Sequence, residues 1–164
     1  MQEPTRAFTP PDRGIETTQL QDSISAIALT VKVNPPGFRL DAVIGQGGMG
    51  VVWRARDLLL DRDVAVKLLQ DHYEAESSTA ERFLDEARIT SQLQHPGIPA
   101  IYQVGPLPNG RPFLAMKLIK GRTLEEMIRS GEALNVSSIF EGICHAVGYA
   151  HAHGIIHRDL KPAN

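Results

Sequence analysis

The chain has 164 residues, of which 42% are hydrophobic and 22% charged, and its formal net charge is −2. That length supports one globular domain with its own core, and the near-balanced charge excludes the broad basic field of a nucleic-acid or anionic-membrane binder. The single cysteine, Cys144, excludes an intrachain disulfide and points to a reducing, cytoplasmic setting.

Residues 1–36 are rich in Pro, Thr, Gln and Ser without sustained periodicity, which predicts a disordered or weakly ordered leader. The opening MQEPTRAFTPPDRG is no secretory signal, and the longest apolar run, SISAIALTV, is far short of the ~20 residues that span a bilayer. The chain as given therefore carries no membrane segment. NPPG at Asn34 to Gly37 marks the boundary where regular structure begins.

From Phe38 the pattern alternates through Leu40, Ala42 and Ile44, the period of a strand. A glycine cluster follows, then VVWRAR and VAVKLL, so the region opens as an antiparallel meander. Arg54, Arg56 and Arg62 interleave with Asp57, Asp61 and Asp63 and read as a solvated mixed-charge surface. Ser78 to Gln94 predicts a helix with a Ser78/Glu81 capping box, stopped by His95-Pro96-Gly97. Ile98 to Val104 and Pro112 to Ile119 predict two further strands around PLPNGRP. TLEEMIRSG is a short helix. Val136 to His153 is a longer one with Val136, Ile139, Phe140, Ile143, Ala146, Val147 and Ala150 on one face, and Gly154 is its αL stop. Cys144 lies beside that stripe and reads as a packing residue.

Three stretches carry chemistry. GQGGMGVV fits G-x-G-x-x-G-x-V, in which glycines let backbone amides approach a phosphate. Alone it also fits a dinucleotide fold, but there the loop must open a helix, whereas Val51, Val52 and Trp53 continue as strand. Lys67 ends the run VAVK. At ~100° per residue, Glu86 falls on the same helical stripe as Phe83, Ala87, Thr90 and Leu93. A carboxylate on a core-facing stripe needs a partner, and Lys67 is the candidate. HRDLKPAN, His157 to Asn164, collects a carboxylate, an ammonium and an amide around Pro162. His145, His151, His153 and His157 lack a helical i, i+4 pair suited to zinc.

In this order and spacing, GQGGMGVVWRARD, VAVKLL, ERFLDEARITSQLQHPGI and GIIHRDLKPAN resemble the eukaryotic-like Ser/Thr protein kinases of bacteria. The resemblance spans Phe38 to Asn164. It implies an α+β, protein-kinase-like fold: residues 37–119 as an antiparallel five-stranded N-lobe with one regulatory helix and a hinge, and 120–164 as the first helices of a truncated C-lobe. It implies ATP and Mg2+ as cofactors and Ser/Thr-bearing proteins as substrates. Gly45, Gln46, Gly47, Gly48, Met49, Gly50, Val51 and Val52 would roof the phosphates, with Lys67 on the α and β phosphates and Glu86 its helix partner. Ile44, Val52 and Ala65 would contact adenine, with Met116 as gatekeeper beside the hinge Lys117-Leu118-Ile119. Asp159 would be the catalytic base, Lys161 would steady the transferring phosphoryl group, and Asn164 would ligate magnesium.

Trp53 stands where such kinases more often have Tyr, and Lys117 where they have Glu. The 164 residues contain no Asp-Phe-Gly and no later C-lobe motif. The expectation is an incomplete catalytic domain, inactive alone and prone to self-association through its exposed helical stripe. The alternative is a noncatalytic, pseudokinase-like module that binds a nucleotide or a partner.

Overall fold

Backbone pairing organises the chain around one antiparallel sheet. The structure, a computed structural model, describes residues 33–163; most of the leader and Asn164 lie outside that range. Its strands are β1 (Phe38–Gln46), β2 (Gly50–Asp57), β3 (Arg62–Leu69), β4 (Ile101–Pro106) and β5 (Pro112–Lys117). They lie in the order β1-β2-β3-β5-β4. Among the described residues three helices follow or interrupt them: α1 (Ser78–Ser91), α2 (Leu124–Arg129) and α3 (Val136–Ala152). The architecture is mixed α+β, as expected.

Register divides the sheet's side chains between two faces, because directly opposed residues project to the same side. Trp53, Val66 and Ala115 form one row and Val51, Leu68 and Phe113 the next. All six are buried, and Phe38 closes edge-on against Phe113 at 5.7 Å. Trp53 takes the place expected to suit a Tyr, and its indole Nε1 is buried without a hydrogen-bond partner among the described residues. The opposite face carries Val52, Lys67 and Leu114, then Arg54, Ala65 and Met116.

Helix α1 covers part of that second face. Phe83, Ala80 and Ala87 pack against Leu69 and Leu114, with Tyr73 and Ile101 at the margin. The helix begins one residue earlier in its capping logic than the sequence suggests. Ser77, not Ser78, is the N-cap and accepts a hydrogen bond from the Ala80 N–H, so the Ser78/Glu81 box does not form. The helix also stops at Ser91 rather than Gln94. Residues 95–98 then close a turn, in which Ile98 N–H donates to the His95 carbonyl and Gly97 N–H to His95 Nδ1. That turn delays β4 to Ile101, three residues after the expected Ile98 start.

The tight β2–β3 turn is organised by Asp57. Its carboxylate accepts from Leu59 and Leu60 N–H at 3.2 and 3.1 Å and from Arg62 Nε at 3.1 Å. The Leu60 amide, aided by Arg62, holds this carboxyl below its ordinary range against the opposing effect of burial.

Helix α2 opens on a complete Thr123/Glu126 capping box. Helix α3 is capped by Asn135 and ends at Ala152, and Gly154 follows its C-cap His153 with a φ of +75° that fits the predicted αL stop. Ala150 is its only buried residue; Val136, Phe140 and Ile143 stand exposed, and so does Cys144, contrary to the packing role expected of it. The tie to the sheet runs through the turn after α1. Gln94 N–H donates to Tyr149 Oη at 3.2 Å, and the Tyr149 ring lies 5.3 Å from His95 and 4.3 Å from His153.

Two outcomes follow from this packing. Phe83 is 1% exposed, so Phe83→Ala is expected to cost roughly 3–5 kcal/mol in a urea unfolding curve. The depressed Asp57 carboxyl gives stability that is complete above the unfolded carboxylate range and lost as pH falls through the lower folded value. Asp57→Ala should therefore flatten that part of the acid limb when unfolding is followed against pH.

Candidate active site

The expected site residues fall into two clusters. The first lies on the Lys67 face of the sheet. Lys67 Nζ donates to both carboxylate oxygens of Glu86, at 2.9 and 3.0 Å. The lysine side chain is 16% exposed and the glutamate 46%. This corrects the expectation of a buried carboxylate: Ala87 and Phe83 occupy the seam, and Glu86 sits at its edge. Lys67 Nζ also lies 5.4 Å from the centre of the Phe83 ring, so the core residue and the ion pair support each other.

Beside this pair runs the glycine loop. Gly45 and Gln46 still pair with Val52 and Val51, and Gly47 N–H donates to the Gly50 carbonyl at 2.9 Å to close the tip. The glycines differ in kind. A β-carbon on Gly50 would sit 2.6 Å from the Leu68 carbonyl oxygen, so the sheet itself requires glycine there. A β-carbon on Gly47 or Gly48 would meet nothing within 4 Å, and neither residue has a positive φ. The fold leaves that space open, and it suits the close approach of an anion to backbone amides.

Val52 and Ala65 share the Lys67 face with Met116, which stands opposite Ala65. Ala65 is buried, Val52 and Met116 partly so, and Ile44 is half exposed. Val51 is directed to the other face beside Leu68, so only its backbone belongs to this surface. Met49 is partly buried and its carbonyl accepts from Gln70 N–H. Leu118 and Ile119 follow the end of β5, partly buried and exposed respectively, and Lys117 points to solvent.

The second cluster is the HRDLKPAN loop. Lys161 Nζ donates to Asp159 Oδ2 at 2.8 Å, and Asp159 N–H donates to His157 Nδ1 at 3.3 Å. Arg158 between them has φ +63°, an uncommon conformation for a bulky residue and a form of strain concentrated at functional turns. Glu125 N–H donates to the Pro162 carbonyl at 2.9 Å and docks the loop on the first turn of α2. An adjoining groove of about 350 Å³ is lined by Glu125, Ile128, Arg129, Lys161, Pro162 and Ala163. A larger, more open depression of about 550 Å³ lies beside Asp71, Glu74, Asn109 and Arg111 and contains none of the expected site residues. Asn164 lies outside the described residues, and among those described no group of three or more His, Cys, Asp or Glu is arranged to hold a metal ion.

Sequence reasoning missed Gln70, whose side-chain Nε2 donates to the Gly47 carbonyl at 2.7 Å. It also missed Arg111, which holds Leu69 O and Asp71 on either side of it. Neither residue belongs to a periodic stripe or a spaced motif; only the polar break after VAVKLL hinted at the first.

A family model described as Protein kinase domain matches residues 38–164. The chain is 40% identical over 133 residues to the serine/threonine-protein kinase PknB of Mycolicibacterium smegmatis, covering 77% of this chain and 21% of that one. It is 38% identical over 130 residues to the serine/threonine-protein kinase pkn3 of Myxococcus xanthus, covering 77% and 24%. With the serine/threonine-protein kinase PrkC of Bacillus subtilis it shares 39% over 133 residues, covering 77% and 20%. The chain thus spans only about a fifth to a quarter of these relatives. Among solved structures, "PpkA-294 apo form" matches with a TM-score of 0.68 at 22% identity, over 80% of this chain and 54% of that one. The Mycobacterium tuberculosis PknI kinase domain matches at 0.61 and 27%, over 80% and 55%.

The ion pair gives a direct test. Glu86→Ala leaves the largely buried Lys67 ammonium without its carboxylate, at a cost of roughly 1–2 kcal/mol, between the exposed and buried limits. A double-mutant cycle with Lys67→Met, read by urea unfolding, should show coupling of the same order.

Proposed function

Because the chain belongs to the protein kinase domain family, we propose that it contributes the nucleotide-binding lobe and catalytic loop of an ATP-dependent protein serine/threonine kinase. The observation that carries this reading is the Lys67–Glu86 pair, formed bidentately on the same sheet face as Val52 and Ala65. On this reading residues 37–119 are the N-lobe and hinge and 120–164 the beginning of the C-lobe.

The donor set fits a nucleotide. Gly47 and Gly48 leave the space over the loop tip open, so that the Gly48 amide is approachable, and the Lys67 ammonium, aimed by Glu86, suits the α and β phosphates. Ile44, Val52, Ala65 and Met116 form an apolar surface for adenine, with the backbone of Leu118 and Ile119 at its edge. Bound Mg-ATP supplies the phosphoryl group and the charge-neutralising metal, with Asn164 as the magnesium ligand.

The chain's own residues would then act in turn. Asp159 accepts the proton of an incoming Ser or Thr hydroxyl, and Lys161, already within hydrogen-bond distance of it, offsets negative charge on the transferring group. The left-handed Arg158 and the dock to α2 set the path of the backbone that carries both side chains. Positioning and charge supply most of the effect in this chemistry.

A polypeptide of these 164 residues alone holds no Asp-Phe-Gly and is expected to bind ATP while transferring little phosphate. No helix among the described residues is long and apolar enough to cross a membrane. A cytoplasmic setting, and self-association through Val136, Phe140 and Ile143, complete the proposal.

The test is titration of the full chain with a fluorescent ATP analogue. Binding is expected, with Lys67→Met weakening it on the order of tenfold through loss of a charge-assisted contact. Asp159→Asn should leave binding intact and abolish any transfer of labelled phosphate to a protein acceptor. Failure of the unaltered chain to bind would reject the reading.

A further inference from the structure

The glycine loop is strapped to the sheet by one residue. Gln70, directly after β3, donates through its side-chain Nε2 to the Gly47 carbonyl at 2.7 Å and through its backbone N–H to the Met49 carbonyl at 3.1 Å. The trans peptide unit is planar, so its C=O and N–H point in opposite directions. Fixing the Gly47 oxygen toward Gln70 therefore turns the Gly48 N–H away from β3. Fixing the Met49 oxygen does the same for the Gly50 N–H. The strap also withdraws the carbonyl dipoles from the side to which the amides turn, where an acceptor oxygen would repel an anion.

Gln70 is itself held. Arg111, at the start of the last strand's hairpin, donates from Nη1 to the Leu69 carbonyl at 3.2 Å and pairs with Asp71 at 2.5 Å. Its side chain is only 14% exposed. The residues on both sides of Gln70 are thus anchored to the β4–β5 turn, whose own closure includes Leu107 N–H to the Arg111 carbonyl at 2.8 Å.

We propose that Gln70 is a positioning residue for the phosphate-binding loop, setting the direction of the Gly48 amide before any ligand arrives. The proposal deepens the nucleotide-binding reading and rests on it for the identity of the ligand. The physical gain is preorganisation. Glycine loses more conformational freedom on ordering than any other residue, and a loop held in place beforehand loses less of it on binding.

The experiment uses the full chain and two separate readouts. Amide hydrogen exchange without nucleotide reports the strap through the Gly47 N–H, which closes the loop tip on the Gly50 carbonyl and opens more often once the Gly47 carbonyl is released. Gln70→Ala, and Gln70→Glu, which keeps the shape but loses the donor, should speed exchange at Gly47 about threefold to tenfold, as expected for loss of one hydrogen bond. Amides of β3 and α1 should be unmoved. Gln70→Lys, which restores a donor on a flexible stem, should recover part of the protection. Titration with the fluorescent ATP analogue should show weakening in the same order, with faster release.

Unchanged Gly47 exchange in the folded Gln70→Glu variant would overturn the strap. Altered exchange with unaltered nucleotide affinity would overturn its positioning role. If the unaltered chain binds no nucleotide, the functional reading fails, and the exchange arm still decides whether Gln70 orders the loop.

Discussion

Helix α1 meets the sheet along a narrow seam, and the chemistry of the Lys67 face depends on it. Phe83, Ala80 and Ala87 pack on Leu69 and Leu114, and this buried contact seats the helix on the sheet. Glu86 follows from that placement. It is carried to the seam's edge, where it can reach Lys67 yet remain half hydrated. A fully buried carboxylate would add a large desolvation cost. A fully exposed one would hold the ammonium weakly. The seam delivers an intermediate case, and the Phe83 ring beneath the ammonium ties the apolar and charged halves of the contact together.

The HRDLKPAN loop is built on a different principle. It has little core of its own, since Asp159 and Lys161 are both largely exposed. Its shape comes from backbone devices: a left-handed Arg158, a His157 ring accepting the Asp159 amide, and a dock from Pro162 onto α2. The sheet cluster is therefore held by burial and the loop cluster by local hydrogen bonding, so the two respond to different perturbations.

Much of this was legible in the sequence. Alternation located β1, β-branched and aromatic residues located β2 and β3, and the glycine and VAVK patterns located the first cluster. The misses have specific causes. Ser77 and Ser78 both suit a cap, and only the chain's path into the helix selects the first. The start of β4 was hidden by a turn whose acceptor is the His95 ring, an interaction with no periodic trace. Glu86 shared a stripe with buried residues, but small Ala87 filled the seam and left the carboxylate at its margin. The side chains of Gln70 and Arg111 reach backbone carbonyls far away in sequence, Arg111 pairing with Asp71 as well, and no pattern in a linear chain announces such contacts.

The glycine loop also carries a consequence for sequence drift. Position 50 is closed to any side chain by the Leu68 carbonyl, whereas positions 47 and 48 face open space. Three neighbouring glycines thus answer to two unrelated demands. Variants lost at 50 are lost to misfolding, and variants lost at 47 or 48 are lost to whatever must lie against the loop. A library of random substitutions read for abundance and for binding would separate those demands along a few ångströms of backbone, with the chain serving as its own reference.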